Sequence, residues 1–432
     1  MQDSLNLSQT HKIIAVTIPT PLIDLLDQLN NAIDQARYDL FFPDDLKTVI
    51  TFLKQYDGVK ATFESYRREL ERLLQWSWLI AKKSILELSR EDIEAYIKFC
   101  MKPPREWIGK KNVARYVEKD GLRSPNPVWR PFIVKVSKSD FKNGEKPKLS
   151  SYEMSQSSIR ALFAVLGSFF DYCLLEEKIQ RNPISLIRQK SRYLQKQQKE
   201  QKIIRLSDGQ WMTCLKIANK MAKKKDMHKR TLFIITAMYL MYLRISEFAS
   251  SDRWTPSMNH FYRDSDEQWW FKVLGKGNKL RTIAVSDDML QALSDYRKNL
   301  NLSPLPSPAD HSPLIPKTKG TGAIESTRQI RRLIQSCFDD AIVELRKNKL
   351  DDEADSLETA TVHWLRHTGI SDDVNKRGRS IMHVRDDAGH ASIITTGGYS
   401  DVEMKDRHKS AKNKTVNIKK EKHRNKLSDK NS

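Results

Sequence analysis

The sequence predicts a mainly α protein, with a helical first domain followed by an α+β domain that carries a small β-sheet. Three observations carry this reading. From Thr62 to about residue 190 the apolar residues recur at helical spacing. A polar, basic stretch at 191–205 then offers nothing to bury, as a linker would. Beyond it, two short strand-like runs, "WWFKVL" and "RTIAVS", stand among apolar helical patterns. At 432 residues the chain is long enough for two or three domains, each with a core of its own.

In order along the chain, residues 1–56 form an N-terminal extension to which no chemistry attaches. It holds a β-like run, "IIAVTI", and an amphipathic helical pattern from Leu22 to about Ala36. The first domain spans 57–190. In "TFESYRRELERLLQWSWL" the spacing places Tyr66, Leu70, Leu73 and Leu74 on one helical face. In "SREDIEAYIKFC" Ser89 reads as an N-cap ahead of acidic first-turn residues. A third, strongly apolar helix, "SQSSIRALFAVLGSFFDYCLLEE", is stopped by a turn at Asn182-Pro183. Between the second and third helices lies a block at 103–150, rich in proline and aromatics, with 12 Lys/Arg against 5 Asp/Glu. It reads either as an extended, solvated excursion or as a nucleic-acid contact, since basic residues interleaved with aromatics suit phosphate plus base or sugar contacts. Arg105, Lys110, Lys111 and Arg130 are its candidate DNA contacts.

The second domain spans 206–408. Its helix "TLFIITAMYLMYLRISEFA" is apolar nearly all round and should be central. The two strand runs are joined by "GKGNKL", and the helix "RQIRRLIQSCFDDAIVELRK" follows. The tail, 409–432, has nine Lys/Arg and two acids, and reads as basic and flexible.

Charge is the loudest compositional signal. Seventy-five Lys+Arg against 54 Asp+Glu give a net charge of +21, which points to a polyanionic partner, nucleic acid before membrane. Cys100, Cys173, Cys214 and Cys337 lie far apart with no CxxC pair, so neither a zinc ribbon nor a disulfide framework is supported. The N-terminus lacks the basic-then-apolar signature of a signal peptide, and no apolar run approaches the length of a membrane span. The expected location is cytoplasmic and nucleoid-associated, with no membrane partner.

Several residues suggest chemistry. Arg244 stands inside the most apolar helical run, where a charge is costly unless paired, and Glu247 three residues on can hold it. Taken alone, the pair reads as a buried structural ion pair. In "VHWLRHT", His363, Arg366 and His367 share one helical face. A metal site is one reading, but the Glu of an HExxH motif is missing and Arg366 would repel a cation. Two guanidiniums suggest instead a site for a tetrahedral anion. Lys276 sits at a Gly-rich hairpin turn that is not a Walker A loop, and could be an ordinary solvated lysine. "DDAGHASIITTGGYS" adds Gly389-His390 and Tyr399. Each element alone is weak.

Their order is not. Arg244 with Glu247, Lys276 in "GKGNK", "HWLRH", Gly-His and a tyrosine nine residues after that His together resemble the tyrosine recombinase (phage integrase) family. The 62–190 segment resembles that family's helical core-binding domain, and the likeness covers roughly residues 60–400. The resemblance implies a C-shaped clamp on double-stranded DNA, a homotetramer on two DNA sites, and recombination or integration for a mobile element. It implies Arg244, Lys276, His363, Arg366, His390 and Tyr399 as catalytic residues, with Glu247 orienting its neighbours and His367 structural. Tyr399 would attack the scissile phosphate, the arginines would neutralise its non-bridging oxygens, and Lys276 would protonate the leaving 5′-oxygen. His363 would assist proton transfer at the tyrosine and His390 would hydrogen-bond the phosphate. No cofactor is implied, neither metal nor ATP, because the phosphotyrosyl ester retains the energy of the broken bond.

The sequence departs from the family where its usual "LGH" is "AGH" and where Gly369-Ile370 follows "RHT". The 103–150 block is also longer than the expected link. Two other readings stay open: a type IB topoisomerase-like nicking-resealing enzyme, and a non-catalytic DNA-binding protein on the same fold.

Overall fold

The computed structural model describes residues 18–24, 42–119, 121–136, 140, 144–185, 187, 193, 205–275, 277–399 and 411–412. Nearly all of the "IIAVTI" run, most of the Leu22–Ala36 helical pattern, most of 191–205 and nearly all of the 409–432 tail lie outside the described residues. The chain divides into two compact units, 1–198 and 199–432.

Among the described residues of the first unit four helices surround one core: α1 Pro43–Lys54, α2 Lys60–Trp76, α3 Arg90–Met101 and α4 Gln156–Leu175. Their starts follow from local chemistry. Proline opens α1 with Asp44 and Asp45 in its first turn, where a missing N–H costs nothing and negative charge is favoured. Ser89 and Asp92 form a reciprocal capping box on α3, and Ser155 caps α4. Leu70, Leu73 and Leu74 of α2 are fully buried, with Tyr66 packed at the edge of the same cluster. Helix α4 corrects the sequence reading twice. By length and composition it is apolar enough to cross a membrane, yet Ile159, Leu162, Leu166 and Phe169 place it in the unit's core. It also ends at Leu175, well before Asn182-Pro183, because Glu177 adopts a left-handed conformation (φ 54°).

The 103–150 block is anchored in the core, although about half of its described residues are exposed. Trp107 and Phe132 are fully buried in the core; Trp107 directly precedes β1 Ile108–Gly109, which pairs in parallel with β4 Phe132–Ile133. Between them, β2 Tyr116–Lys119 and β3 Leu122–Pro125 form a hairpin. Its arginines are largely structural. Arg115 pairs with Glu71, and Arg123 with Asp24 at 2.5 Å. Both carboxylates are buried, and the insert's arginines offset their charge.

The second unit contains helices α5 Asp208–Lys224, α6 Lys229–Leu240, α7 Asp287–Asn299, α8 Thr327–Lys347, α9 Asp351–Thr359, α10 His363–Asn375, α11 Ile381–Ala388 and α12 Ile393–Gly397. A three-stranded antiparallel sheet runs in the order β5 Phe261–Arg263, β6 Trp269–Leu274, β7 Leu280–Ala284. Its register sets Phe261 against Phe271 and Phe271 against Ile283, and all three are buried in the core that also takes α6 and α8. "WWFKVL" and "RTIAVS" are thus strands as expected, while β5 is additional.

Helix α6 is shorter than its apolar run. It stops at Leu240, and Met241, Tyr242 and Leu243 remain fully buried in non-helical conformations. Tyr242 has φ 53°, a left-handed state that costs an L-residue about 1–2 kcal/mol. Arg244 therefore stands not inside the helix but in an extended conformation (φ −78°, ψ 149°) just beyond it.

Candidate active site

The second unit gathers most of the singled-out residues around the C-terminal end of α11. A helix leaves its last carbonyls without intrahelical partners and concentrates negative partial charge there. Three guanidiniums take those carbonyls in succession. Arg281 Nε donates to Asp387 O at 3.0 Å, Arg366 Nη2 to Ala388 O at 2.6 Å, and Arg244 Nη2 to Gly389 O at 3.4 Å. Gly389 itself is left-handed (φ 63°), and a Cβ there would lie 2.7 Å from Arg281 Cδ, so the helix can end this way only at glycine.

Glu247 holds two of these arginines. It is 3% exposed and accepts from Arg281 Nη1 and Nη2 at 2.8 and 2.9 Å and from Arg244 Nη1 at 3.0 Å. Its second oxygen also accepts from the Arg244 backbone N–H at 2.8 Å. Burial pushes its pKa up, but the hydrogen bonds and charge of Arg281, with the charge of Arg244, outweigh that and leave it lowered. Arg281 is the member of this group that sequence reasoning missed.

Arg366, on α10, is 2% exposed. Its Nη1 donates to the Tyr242 carbonyl, and its Nη2 reaches both Ala388 O and His390 Nε2, the latter at 3.1 Å. Burial, then the charge of Arg244, pushes its pKa down to about 9, which still leaves it charged at neutral pH. Because a guanidinium only donates, His390 Nε2 must accept. The proton of His390 therefore sits on Nδ1 and is donated to Thr396 Oγ1 at 2.9 Å. Burial and the charges of Arg366 and Arg244 hold His390 down to about 4, hence neutral. Both its ring nitrogens are engaged inside the protein.

Tyr399 follows α12 and is 5% exposed, packed with Tyr242, Ile370, Val384 and Ala388. Its ring lies nearly parallel to that of His390, with centroids 6.0 Å apart. Its hydroxyl is hydrogen-bonded to Nδ1 of His367, and its carbonyl accepts from Asn375 Nδ2 at 2.7 Å. Burial raises the phenol pKa against the lowering influence of Arg366 and Arg244. His367 is itself pushed down to about 4 by burial, then by His363 and Arg366.

The two histidines of "HWLRH" thus divide differently from the sequence reading. His367, taken as structural, contacts the tyrosine. His363, expected there, is an exposed residue whose ring meets His367 edge-on at 5.5 Å. Partial burial, then Arg366 and Arg244, lowers its pKa. Among the described residues no group of three or more His, Cys, Asp or Glu could hold a metal ion.

Lys276 lies outside the described residues. Its neighbour Gly275 lies against the arginine cluster, since a Cβ there would be 2.8 Å from Arg281 Nη1. In the first unit Arg105, Lys110 and Lys111 are exposed. Arg130 is half-buried and donates to the carbonyls of Pro127 and Trp129 at 2.7 and 2.6 Å, so it serves the local turn. All four cysteines are buried free thiols.

No protein-family model matches the chain, and no curated protein matches it. Solved structures do. One is the XerH site-specific recombinase bound to a palindromic difH substrate in a post-cleavage complex, at 13% identity and a TM-score of 0.52, covering 89% of this chain and 86% of that one. Another is the Tn1549 transposon integrase in complex with a circular-intermediate DNA, at 15% identity and a TM-score of 0.49, covering 85% and 98%. Identities this low speak to fold alone, and the first likeness carries it. The chain has the fold of the tyrosine recombinases.

Proposed function

We propose that this chain is a site-specific DNA strand transferase of the tyrosine-recombinase type, with Tyr399 as nucleophile and double-stranded DNA as substrate. The observation that carries the reading is the convergence of Arg244 and Arg366 on the end of α11, beside His390 and Tyr399. Two fixed guanidiniums suit the two non-bridging oxygens of a phosphodiester, whose charge grows as a fifth oxygen approaches phosphorus.

In the proposed step Tyr399 Oη bonds to the scissile phosphorus and the bond from phosphorus to the 5′-oxygen breaks. The phenol proton passes to histidine, with His367 already on the hydroxyl and His363 next to it. Lys276 gives a proton to the leaving 5′-oxygen. The product is a 3′-phosphotyrosyl ester and a free 5′-hydroxyl, and a new 5′-hydroxyl reverses the step without ATP. An unperturbed phenol near pKa 10 is a poor nucleophile at neutral pH, and the raised pKa of Tyr399 makes it poorer still. The resting site therefore depends on DNA bringing the phosphate, and on release of Tyr399 from its packed position. Glu247 and Arg281 act by holding Arg244. Exchange between two duplexes involves four strands, which suits four protomers on two sites.

The test is a covalent protein–DNA adduct on nicked substrate, formed in excess EDTA, followed by recombinant product from two duplexes. Relaxation of supercoiled DNA without exchange would favour the type IB reading. Binding with no adduct would favour a non-catalytic DNA-binding protein.

A further inference from the structure

We infer that Tyr242 is a positioning residue for Arg366, acting through a closed ring of contacts that fixes the spacing of two backbone carbonyls. The inference rests on the strand-transfer reading above and adds to it a residue which that reading does not use. Arg366 is held by carbonyls from two separate segments, Tyr242 on Nη1 and Ala388 on Nη2. One residue ties those segments together. Arg379 Nη1 donates to the Tyr242 hydroxyl at 2.9 Å, and its Nη2 to Asp387 Oδ2 at 2.7 Å. Asp373 completes the ring, accepting from the Tyr242 hydroxyl and from Arg379 Nη1 at 2.9 Å. Asp387 Oδ1 also accepts from the backbone of Ala284, which joins β7 to the same frame.

The backbone of Tyr242 is the second observation. A fully buried tyrosine at φ 53° is a conformation that bulky residues avoid. It persists only where surrounding contacts over-determine it, and such strain gathers at functional sites. Here the left-handed turn is what carries the chain from α6 to Arg244 while aiming residue 242's carbonyl at Arg366. The anchored hydroxyl fixes the side chain, and the ring packs beside Tyr399. A glycine would adopt the same backbone freely but would lose the anchor, so the tyrosine is there for its side chain.

The test compares covalent adduct formation by the parent and by Tyr242→Phe on two nicked substrates. One carries an ordinary scissile phosphate, and the other a methylphosphonate, which lacks one charged non-bridging oxygen. If Tyr242 orients Arg366, its hydroxyl matters where there is charge for Arg366 to neutralise. Tyr242→Phe should then slow adduct formation about tenfold on the phosphate, the size of one lost hydrogen bond to a charged group. On the methylphosphonate the loss should be less than about threefold. Arg379→Lys, which keeps the charge but cannot bridge both partners, should show the same substrate-dependent pattern and covers the case in which Tyr242→Phe fails to fold. Equal slowing on both substrates by the folded variants, or no slowing at all, overturns the inference while leaving the strand-transfer reading intact. A parent that forms no adduct on either substrate overturns both.

Discussion

Gly369 lies on α10, one turn beyond Arg366, with its α-carbon facing the backbone of α6. A Cβ built there would lie 1.9 Å from the Tyr239 carbonyl oxygen, 2.8 Å from its carbon and 3.2 Å from its Cα. Ordinary contact begins near 3.4 Å, so Gly369→Ala must move the helices apart by about 1.5 Å. The obstacle is backbone and cannot swing aside. Overpacking of this kind costs typically about 3 kcal/mol at its upper end, while alanine returns about 1 kcal/mol over glycine in a helix interior. The net loss of about 2 kcal/mol corresponds to a fall in Tm of about 4–8 °C for a unit of this size. Calorimetry on the full chain reads this directly. Gly397→Ala is the control, because a Cβ at 397 meets nothing within 4 Å and should leave Tm unchanged or raise it. The same displacement would carry Arg366 and His367 with α10, so adduct formation should fall as well. A Gly369→Ala variant that melts at or above the parent temperature refutes the close approach of α6 and α10.

Replacing both Gly397 and Gly398 with alanine should leave DNA affinity unchanged and shift the adduct rate about tenfold, about 1.4 kcal/mol in the barrier. Gly398 has an ordinary helical backbone (φ −63°), so flexibility beside Tyr399 is what glycine adds there, and a rate within twofold of the parent would make the pair a simple turn. His367 and His390 are both held near pKa 4 against an ordinary 6.5; a lowered folded pKa gives stability that is full above the unfolded value and lost as pH falls toward the folded one. Tm should therefore decline between about pH 6.5 and pH 4, and a Tm that stays flat across that window contradicts neutral, buried rings. In the first unit, Lys110→Glu with Lys111→Glu should leave the fold intact and reduce the salt slope of DNA binding by about 2, whereas Arg115→Ala should destabilise the unit by taking from buried Glu71 its ion-pair partner. An unchanged salt slope removes the two lysines from the DNA contact.

Most helices were legible because their signals are local. Ser89 and Asp92, or the i, i+4 leucines of α2, fix their structure within one or two turns. The order of the candidate site residues was legible for the same reason, since each motif occupies a few consecutive residues. What could not be read depends on distant partners. Arg281 looks like one more charge on a short strand, and its role exists only because Glu247, 34 residues away, can bind it along both edges. The insert's arginines neutralise Glu71 and Asp24, 44 and 99 residues away. The end of α6 carries no proline or glycine, and the buried residues after it keep the apolar pattern of a helix while leaving it. His367 and His363 stand on the same face, and the contact of His367 with Tyr399 depends on where α12 places the tyrosine.

Mapping the covalent attachment tests the central claim most directly. The parent and Tyr399→Phe would be trapped on nicked double-stranded DNA in excess EDTA, digested, and the DNA-linked peptide identified by mass. The account predicts one phosphotyrosyl peptide containing Tyr399 in the parent, none in the variant, and unchanged DNA affinity between the two. Attachment through any other residue, or an adduct that survives Tyr399→Phe, would contradict it.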